Sequence, residues 1–109
     1  MDITRLVDEC GFTVICAPDT SRDVDGVYAC DLLSWVMGKA RPDNAWITIM
    51  SNMNVIAVAS LSDVSCVIFA EGVMPEEAVI KTANERGINL LSSSLPIYET
   101  AIKLSGVLK

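Results

Sequence analysis

The chain has 109 residues, of which 51% are hydrophobic, and its formal net charge is −6. This length supports one compact core and is short for two, so residues 1–109 are predicted to form a single domain. The eight lysines and arginines are scattered singly, and the negative charge disfavours nucleic acid and anionic membrane surfaces as partners.

The four cysteines are too widely spaced for a CxxC ligand pair, and the sequence contains no histidine. We therefore predict no metal site and no cofactor. Cys16 and Cys66 lie in apolar runs and are expected to be buried, reduced thiols. The N-terminus lacks a basic region followed by an apolar run, and polar residues interrupt the longest nearly uncharged segment, 45–61. These features predict a cytoplasmic protein without a membrane span.

The first part of the chain predicts a helix, a strand and a loop. Apolar residues recur at helical spacing in 3–10, and Gly11 is a natural helix end. The apolar run 12–17 predicts a strand covered on both faces, which Pro18 ends. The charged, glycine-containing segment 20–26 is expected to be an exposed loop.

The middle of the chain predicts two strands and two helices. A short strand over 27–30 is followed by Asp31, which is well placed to cap the next helix. The run 45–50 is the most strand-like window of the sequence, and 54–61 is the most plausible helix after it. The buried stripe of the helix after Asp31 is expected to consist of Leu32, Leu33, Val36 and Met37.

The last part of the chain predicts two further strands and two helices. A strand over 66–70 precedes a helix that Pro75 opens and that runs to Arg86. A strand over 88–91 precedes a final helix, in which Pro96 fits an early position. The buried face of this helix is expected to contain Ile97, Tyr98, Ala101, Ile102, Ser105 and Leu108.

Short apolar strands thus alternate with helices, joined by connections of a few residues. This alternation is typical of the α/β class. We predict a three-layer α/β/α domain around a mostly parallel sheet of about five short strands.

The residues that enzymes commonly use are scarce. Without histidine, a serine or cysteine nucleophile would have to rely on lysine or a carboxylate as its base. The six glycines are isolated, and neither GxGxxG nor GxxxxGK[ST] occurs. The sequence therefore does not predict an enzyme.

Small polar residues gather at two predicted strand-to-helix junctions, 48–54 and 92–94. Ligands commonly bind at the carboxyl ends of parallel strands, where helix N-termini present N–H groups to an anion. Serine and asparagine also cap helices without any ligand, which is the simpler explanation of both junctions. The first junction has more polar groups than one cap uses, so its candidate ligand-binding residues are Thr48, Ser51, Asn52 and Asn54.

The two tryptophans, Trp35 and Trp46, have two possible roles. Most tryptophans of small domains lie in the core, and this is the first expectation for both. A tryptophan that is exposed would instead indicate a subunit interface.

Several stretches along nearly the whole chain occur in an order typical of one known family. They are Asp31-Leu32-Leu33-Ser34-Trp35-Val36-Met37, Ala45-Trp46-Ile47-Thr48-Ile49, Asn54-Val55-Ile56-Ala57-Val58-Ala59, Glu71-Gly72 with Pro75-Glu76, and Gly87-Ile88-Asn89-Leu90-Leu91-Ser92. Together these stretches resemble the DRTGG domain family. The sequence lacks the literal Asp-Arg-Thr-Gly-Gly motif, and segment 21–26 is its nearest counterpart.

The resemblance implies a fold like the N-terminal domain of HPr kinase/phosphorylase. Family members occur inside phosphotransacetylases and beside CBS domains in regulated pyrophosphatases, where they are accessory modules that contribute to subunit association. The chain lacks a kinase P-loop, so kinase activity is not implied. We accordingly expect a non-catalytic regulatory or interaction module that forms a homodimer, with an unidentified protein as a further possible partner. The alternative is a sensor of a small anion or nucleotide at Ser51–Asn54.

Overall fold

A computed structural model describes residues 1–108 of the chain. This part of the sequence forms five helices and five strands, which alternate except that β1 is followed directly by β2. Their bounds are α1 Ile3–Cys10, β1 Thr13–Cys16, β2 Val27–Ala29, α2 Leu33–Lys39, β3 Ala45–Thr48, α3 Met53–Ser62, β4 Cys66–Phe69, α4 Glu77–Glu85, β5 Asn89–Ser92 and α5 Ile97–Val107.

The strands form one sheet in the order β1-β5-β4-β3-β2. Strands β2 to β5 are mutually parallel, whereas β1 pairs antiparallel with β5. The predicted α/β class and mostly parallel sheet are therefore confirmed. None of the helices within residues 1–108 has the length and apolar character needed to cross a membrane.

Two hydrophobic clusters cover the two faces of the sheet. One cluster joins the sheet to α2, α3 and α4, and the other joins it to α1 and α5. Successive residues of β3 alternate between them, with Trp46 in the first cluster and Ala45 and Ile47 in the second. Because side chains of a strand point to opposite faces in turn, the central strands are buried on both sides, and their sequences are apolar except for polar residues at the ends of β3 and β5.

Strand β1 departs from the prediction that both of its faces are covered. It is an edge strand, and its register with β5 shifts between Val14 and Cys16. The first two residues of the strand, Thr13 and Val14, are exposed. The prediction was wrong because the apolar sequence of β1 is like that of a central strand, and residue composition does not indicate whether a strand lies at the centre or at the edge of a sheet.

Two helices bury only part of the face predicted for them. In α2, Val36 is buried and Leu33 is half-buried, while Leu32 and Met37 are exposed. In α5 the buried positions include Thr100 and Leu104, whereas the predicted residues Tyr98 and Ile102 are exposed. In α5 the apolar residues are spread around the helix, so hydrophobicity alone did not select the face that packs on the sheet.

The prolines lie just before the helices rather than within them. Pro75 precedes Glu76, the N-cap of α4, and Pro96 is itself the N-cap of α5. Strand β5 spans Asn89–Ser92, one residue later than predicted. These shifts are within the usual uncertainty of element ends.

Candidate functional site

The predicted ligand-binding stretch lies at the carboxyl end of β3. Thr48, the last residue of that strand, is fully buried. Its hydroxyl donates to the Asp31 carboxylate at 2.7 Å and accepts from the Met50 N–H at 3.1 Å. Because a carboxylate only accepts, the Thr48 hydrogen is committed to Asp31. Thr48 therefore positions the loop after β3 and does not face a cleft.

Asp31 has a role different from the predicted helix cap. Its carboxylate accepts from the Ile49 N–H at 3.0 Å in addition to the Thr48 hydroxyl. The N-cap position of α2 belongs to Leu32, whose side chain makes no capping bond. The prediction was wrong because Asp31 accepts hydrogen bonds from the Thr48 hydroxyl and the Ile49 N–H instead of from the first N–H groups of α2. These donors lie at the end of β3, distant in sequence, so local rules could not identify them.

The next two polar residues shape the start of α3. Asn52 is the N-cap, and its side-chain oxygen accepts from the Asn54 N–H at 3.0 Å. Asn54 itself lies in the exposed first turn of the helix. The capping role that Ser and Asn predict at this junction thus accounts for Asn52.

Ser51 and Asn52 line one side of a cleft of about 450 Å³, which Thr48 and Asn54 do not line. The opposite wall comes from the loop after β4 and the start of α4, and includes Met74, Glu76 and Val79. The sequence reasoning missed these three residues. The signal was available in principle, because β3 and β4 are parallel neighbours and their following loops meet at the same edge of the sheet.

The charge of this cleft is set by Glu76. The residue is exposed at the N-terminus of α4, where a carboxylate is favoured by the helix dipole. A negative charge here opposes a bare anion and favours a ligand that also presents a donor or a cation.

The second polar junction, 92–94, is mainly structural. The Ser93 and Thr100 hydroxyls lie 2.8 Å apart, and the Leu95 N–H donates to Ser93 at 3.2 Å. Thr100 in turn donates to the Leu95 carbonyl at 3.2 Å. This buried network fastens the start of α5 to the end of β5.

The two tryptophans occupy opposite environments. Trp46 is fully buried, and its indole N–H donates to the Cys30 carbonyl at 2.9 Å. It therefore belongs to the core and has no surface to offer a partner. Trp35 is 55% exposed on α2 beside Leu32, which is 57% exposed. The Lys39 ammonium lies 5.1 Å from the centroid of the Trp35 ring, one helical turn away.

Three of the four cysteines are poor nucleophiles in this fold, because their thiols hold the proton more tightly than usual. Burial raises the pKa of the Cys66 thiol to about 12 and also raises the pKa values of Cys10 and Cys16. Cys16 is only half-buried, in contrast to the predicted full burial. Among residues 1–108, no three His, Cys, Asp or Glu side chains are grouped as metal ligands.

One family model matches nearly the whole chain, and a solved structure has a similar fold. The family model of the DRTGG domain matches residues 5–107, as the sequence resemblance predicted. The fold is similar to the crystal structure of the CBS and DRTGG domains of the regulatory region of Clostridium perfringens pyrophosphatase, complexed with the activator diadenosine tetraphosphate. The TM-score is 0.74 at 11% identity, and the match covers 94% of this chain and 45% of that one. No curated protein matches the chain.

Proposed function

The chain belongs to the DRTGG domain family, and from this premise we propose that it is a non-catalytic regulatory module that self-associates as a homodimer. The solved structure with the similar fold is part of a regulatory region. The raised thiol pKa values and the absence of histidine from the sequence support a role without catalysis. The free cysteines support a reducing, cytoplasmic location.

The observation that carries the proposal is the exposure of Trp35 and Leu32 on α2. A tryptophan side chain contributes about 150–250 Å² when it is buried, so an exposed half leaves about 100 Å² in water. Covering that area is worth about 2.5 kcal/mol per subunit. A twofold dimer gains this term twice, because both subunits bury the same patch.

Sedimentation at increasing protein concentration tests the proposal. We expect a monomer–dimer equilibrium in the wild-type chain and a dissociation constant at least about tenfold higher in Trp35→Lys, because the substitution places a charge in the contact. Leu61→Lys is the matched control, since Leu61 is 76% exposed on α3. A wild-type chain that stays monomeric at high concentration would refute self-association.

A second candidate function is ligand sensing at the cleft lined by Ser51, Asn52 and Glu76. Its volume of about 450 Å³ is within the range of small-molecule sites. The cleft lies at the carboxyl ends of parallel strands, which is a common ligand position in α/β sheets. The similar solved structure carries a nucleotide activator, so nucleotides are the first ligands to try.

Thermal unfolding with and without added diadenosine tetraphosphate, ATP or inorganic phosphate tests this candidate. Binding should raise the melting temperature progressively as the ligand concentration increases above the dissociation constant. The shift, rather than the melting temperature itself, should shrink in Asn52→Ala, because that variant also loses a helix cap. Glu76→Gln should enlarge the shift for anionic probes, because it removes a negative charge from the cleft. If no probe shifts the melting temperature of the wild type or of Glu76→Gln, that result argues against a ligand site in this cleft.

A further inference from the structure

Strand β2 forms one end of the sheet and pairs with β3 on one side only. The Gly26 carbonyl accepts a hydrogen bond from the Ala45 N–H, and the Cys30 N–H donates to the Ile47 carbonyl, so both groups point toward β3. Because backbone groups alternate in direction along a strand, Tyr28 shares this inward orientation. The N–H and C=O groups of Val27 and Ala29 therefore turn outward from the sheet.

The two edges of the sheet are protected to different degrees. Edge strand β1 has a register irregularity between Val14 and Cys16, and Pro18 follows it closely. Strand β2 has the sequence Val-Tyr-Ala, without charge or proline, and its register with β3 is regular. Irregularities, prolines and charges are the usual devices that prevent edge pairing. The β1 edge has such devices within or next to the strand, whereas β2 itself has none and is limited only by its short length and by Asp25 and Asp31 on either side.

One flank of the β2 edge is formed by α2. Val36 of this helix points into the core, while Trp35 and Lys39 share one side of it and Met37 lies on the other. The connection β2-α2-β3 joins two parallel neighbouring strands, for which a right-handed crossover is the rule. In that geometry the side that carries Trp35 faces away from α3, which places the ring near the open edge of β2.

The other flank is formed by α5, on the opposite face of the sheet. Small residues of α5, Ala101 and Ser105, join β2 in lining a groove of about 570 Å³. Tyr98 and Ile102, both exposed, lie on the same side of the helix. The opposite side carries Lys103, which donates to the last carbonyl of α1 at 3.1 Å. The surface of α5 next to the β2 edge is therefore rich in uncovered apolar groups.

We propose that β2 pairs antiparallel with β2 of a second copy of this chain, forming one continuous sheet through both subunits. The inference rests on the proposed self-association and specifies its geometry. With Tyr28 at the twofold axis, Val27 of each subunit meets Ala29 of the other, and each pair exchanges both outward backbone hydrogen bonds.

We assign a second copy of this chain to the β2 edge because a twofold axis brings the apolar groups on each flank of one subunit against the same groups of the other. The twofold axis brings α2 toward α2 of the other subunit on one face and α5 toward α5 on the other. A three-residue strand supplies few hydrogen bonds, so the apolar groups on both flanks are needed for a stable contact. An unrelated extended peptide would pair with the strand and leave much of these flanks uncovered.

Amide hydrogen exchange, followed by NMR across a protein concentration series, tests the proposal in the wild-type chain. The Val27 and Ala29 amides should exchange more slowly as the dimer forms. The Tyr28 amide, bonded to β3 in either state, should be protected at every concentration and is the internal control. Unchanged exchange at Val27 and Ala29 in a sample shown to be dimeric would overturn edge pairing.

Paired substitutions give a second measurement. Ala29→Pro removes the outward N–H of that residue but none of the N–H groups that bond β2 to β3, and it should raise the dissociation constant at least about tenfold. Ala29→Ser keeps the N–H and should leave the dimer intact. A dimer that persists in Ala29→Pro but not in Trp35→Lys would overturn edge pairing and leave self-association standing. A wild-type chain that is monomeric throughout would overturn both.

Discussion

The carboxylate of Asp31 ties the segment that leads into α2 to the end of β3 by accepting hydrogen bonds from the Thr48 hydroxyl and the Ile49 N–H. Replacing it leaves the fully buried Thr48 hydroxyl without its acceptor. An unsatisfied buried polar group costs about 1–3 kcal/mol. This one side chain therefore contributes to the geometry of the loop that bears the candidate ligand residues.

We predict that Asp31→Ala lowers the free energy of unfolding by about 2 kcal/mol, measured by urea denaturation. Asp31→Asn keeps one acceptor oxygen and should lose less. Asp8→Ala, at an exposed position of α1, is the control and should change stability by less than about 0.5 kcal/mol. An Asp31→Ala midpoint equal to that of the wild type would contradict the role assigned to this carboxylate.

Burial raises the pKa of Cys66 from an ordinary value of 9.0 to about 12. The folded chain therefore holds this proton more tightly than the unfolded chain does. The corresponding stability is fully present below pH 9.0 and is lost as the pH rises toward about 12.

We predict that the free energy of unfolding falls less steeply above pH 9.0 in Cys66→Ala than in the wild type, because the variant has no thiol to ionise on unfolding. Urea denaturation at several alkaline pH values gives both slopes. Cys66→Ala also loses packing at neutral pH, so the slopes rather than the absolute stabilities are compared. Equal slopes would show that the thiol does not titrate differently in the two states.

At the scale of elements, Arg22 joins three loops at the end of the sheet opposite the candidate cleft. Its guanidinium donates to the Asp43 and Asp63 carboxylates, each at 2.9 Å. Both aspartates have positive φ angles, 68° and 57°, a conformation that few non-glycine residues adopt. The ion pairs hold the turn before β3 and the turn after α3 against the loop that contains Arg22.

We predict that Arg22→Ala lowers the free energy of unfolding by about 1–2 kcal/mol, with only partial recovery in Arg22→Lys, because lysine lacks the forked donors. The Arg22 side chain is 24% exposed, whereas Arg5, which pairs with Glu9, is 70% exposed. Arg5→Ala is therefore the control, with an expected loss below about 0.5 kcal/mol. Equal losses of unfolding free energy in Arg22→Ala and Arg5→Ala would show that Arg22 does not stabilise the fold more than an exposed ion-paired arginine does.

The helices illustrate which parts of an element the sequence could predict. Helix α1 has Asp2 as its N-cap and Gly11 as its C-cap, so both ends and the buried face follow from local rules. In α5, by contrast, apolar residues lie on several sides, and the neighbouring strands decided that Leu104 rather than Tyr98 is buried. The existence of the helix was predictable, but its rotation was not.

At the scale of the whole molecule, the net charge of −6 opposes association of two identical chains. Asp25 and Asp31 flank β2 and add to this repulsion at the proposed contact. Salt screens such repulsion, and the Debye length falls from about 30 Å at 0.01 M to about 10 Å at 0.1 M. Apolar burial and backbone pairing are much less sensitive to this screening.

We predict that the dimer becomes tighter as the salt concentration rises from about 0.01 M to about 0.1 M, measured by sedimentation. The same series in Asp25→Asn should show a weaker dependence on salt. A dimer that dissociates on adding salt would indicate attractive ion pairs at the contact, which the apolar surfaces around β2 do not provide.

The sequence by itself determined the class of fold and the family. Apolar strands alternating with amphipathic segments allow few arrangements other than a parallel sheet with helices on both faces, because those strands need cover on both sides. Local rules also identified Asn52 as a residue that caps a helix.

Only the tertiary structure decided which residues meet. The fold brings the Thr48 hydroxyl within hydrogen-bond distance of the Asp31 carboxylate and buries Trp46 while leaving Trp35 exposed. It also brings Glu76 and Met74 to the cleft that Asn52 lines, and it leaves β2 at an open edge of the sheet. Each of these outcomes depends on strand order and on contacts between residues far apart in the chain. The local pattern of the sequence is the same whether a strand lies at the centre of a sheet or at its edge, so the site and the surface had to be read from the fold.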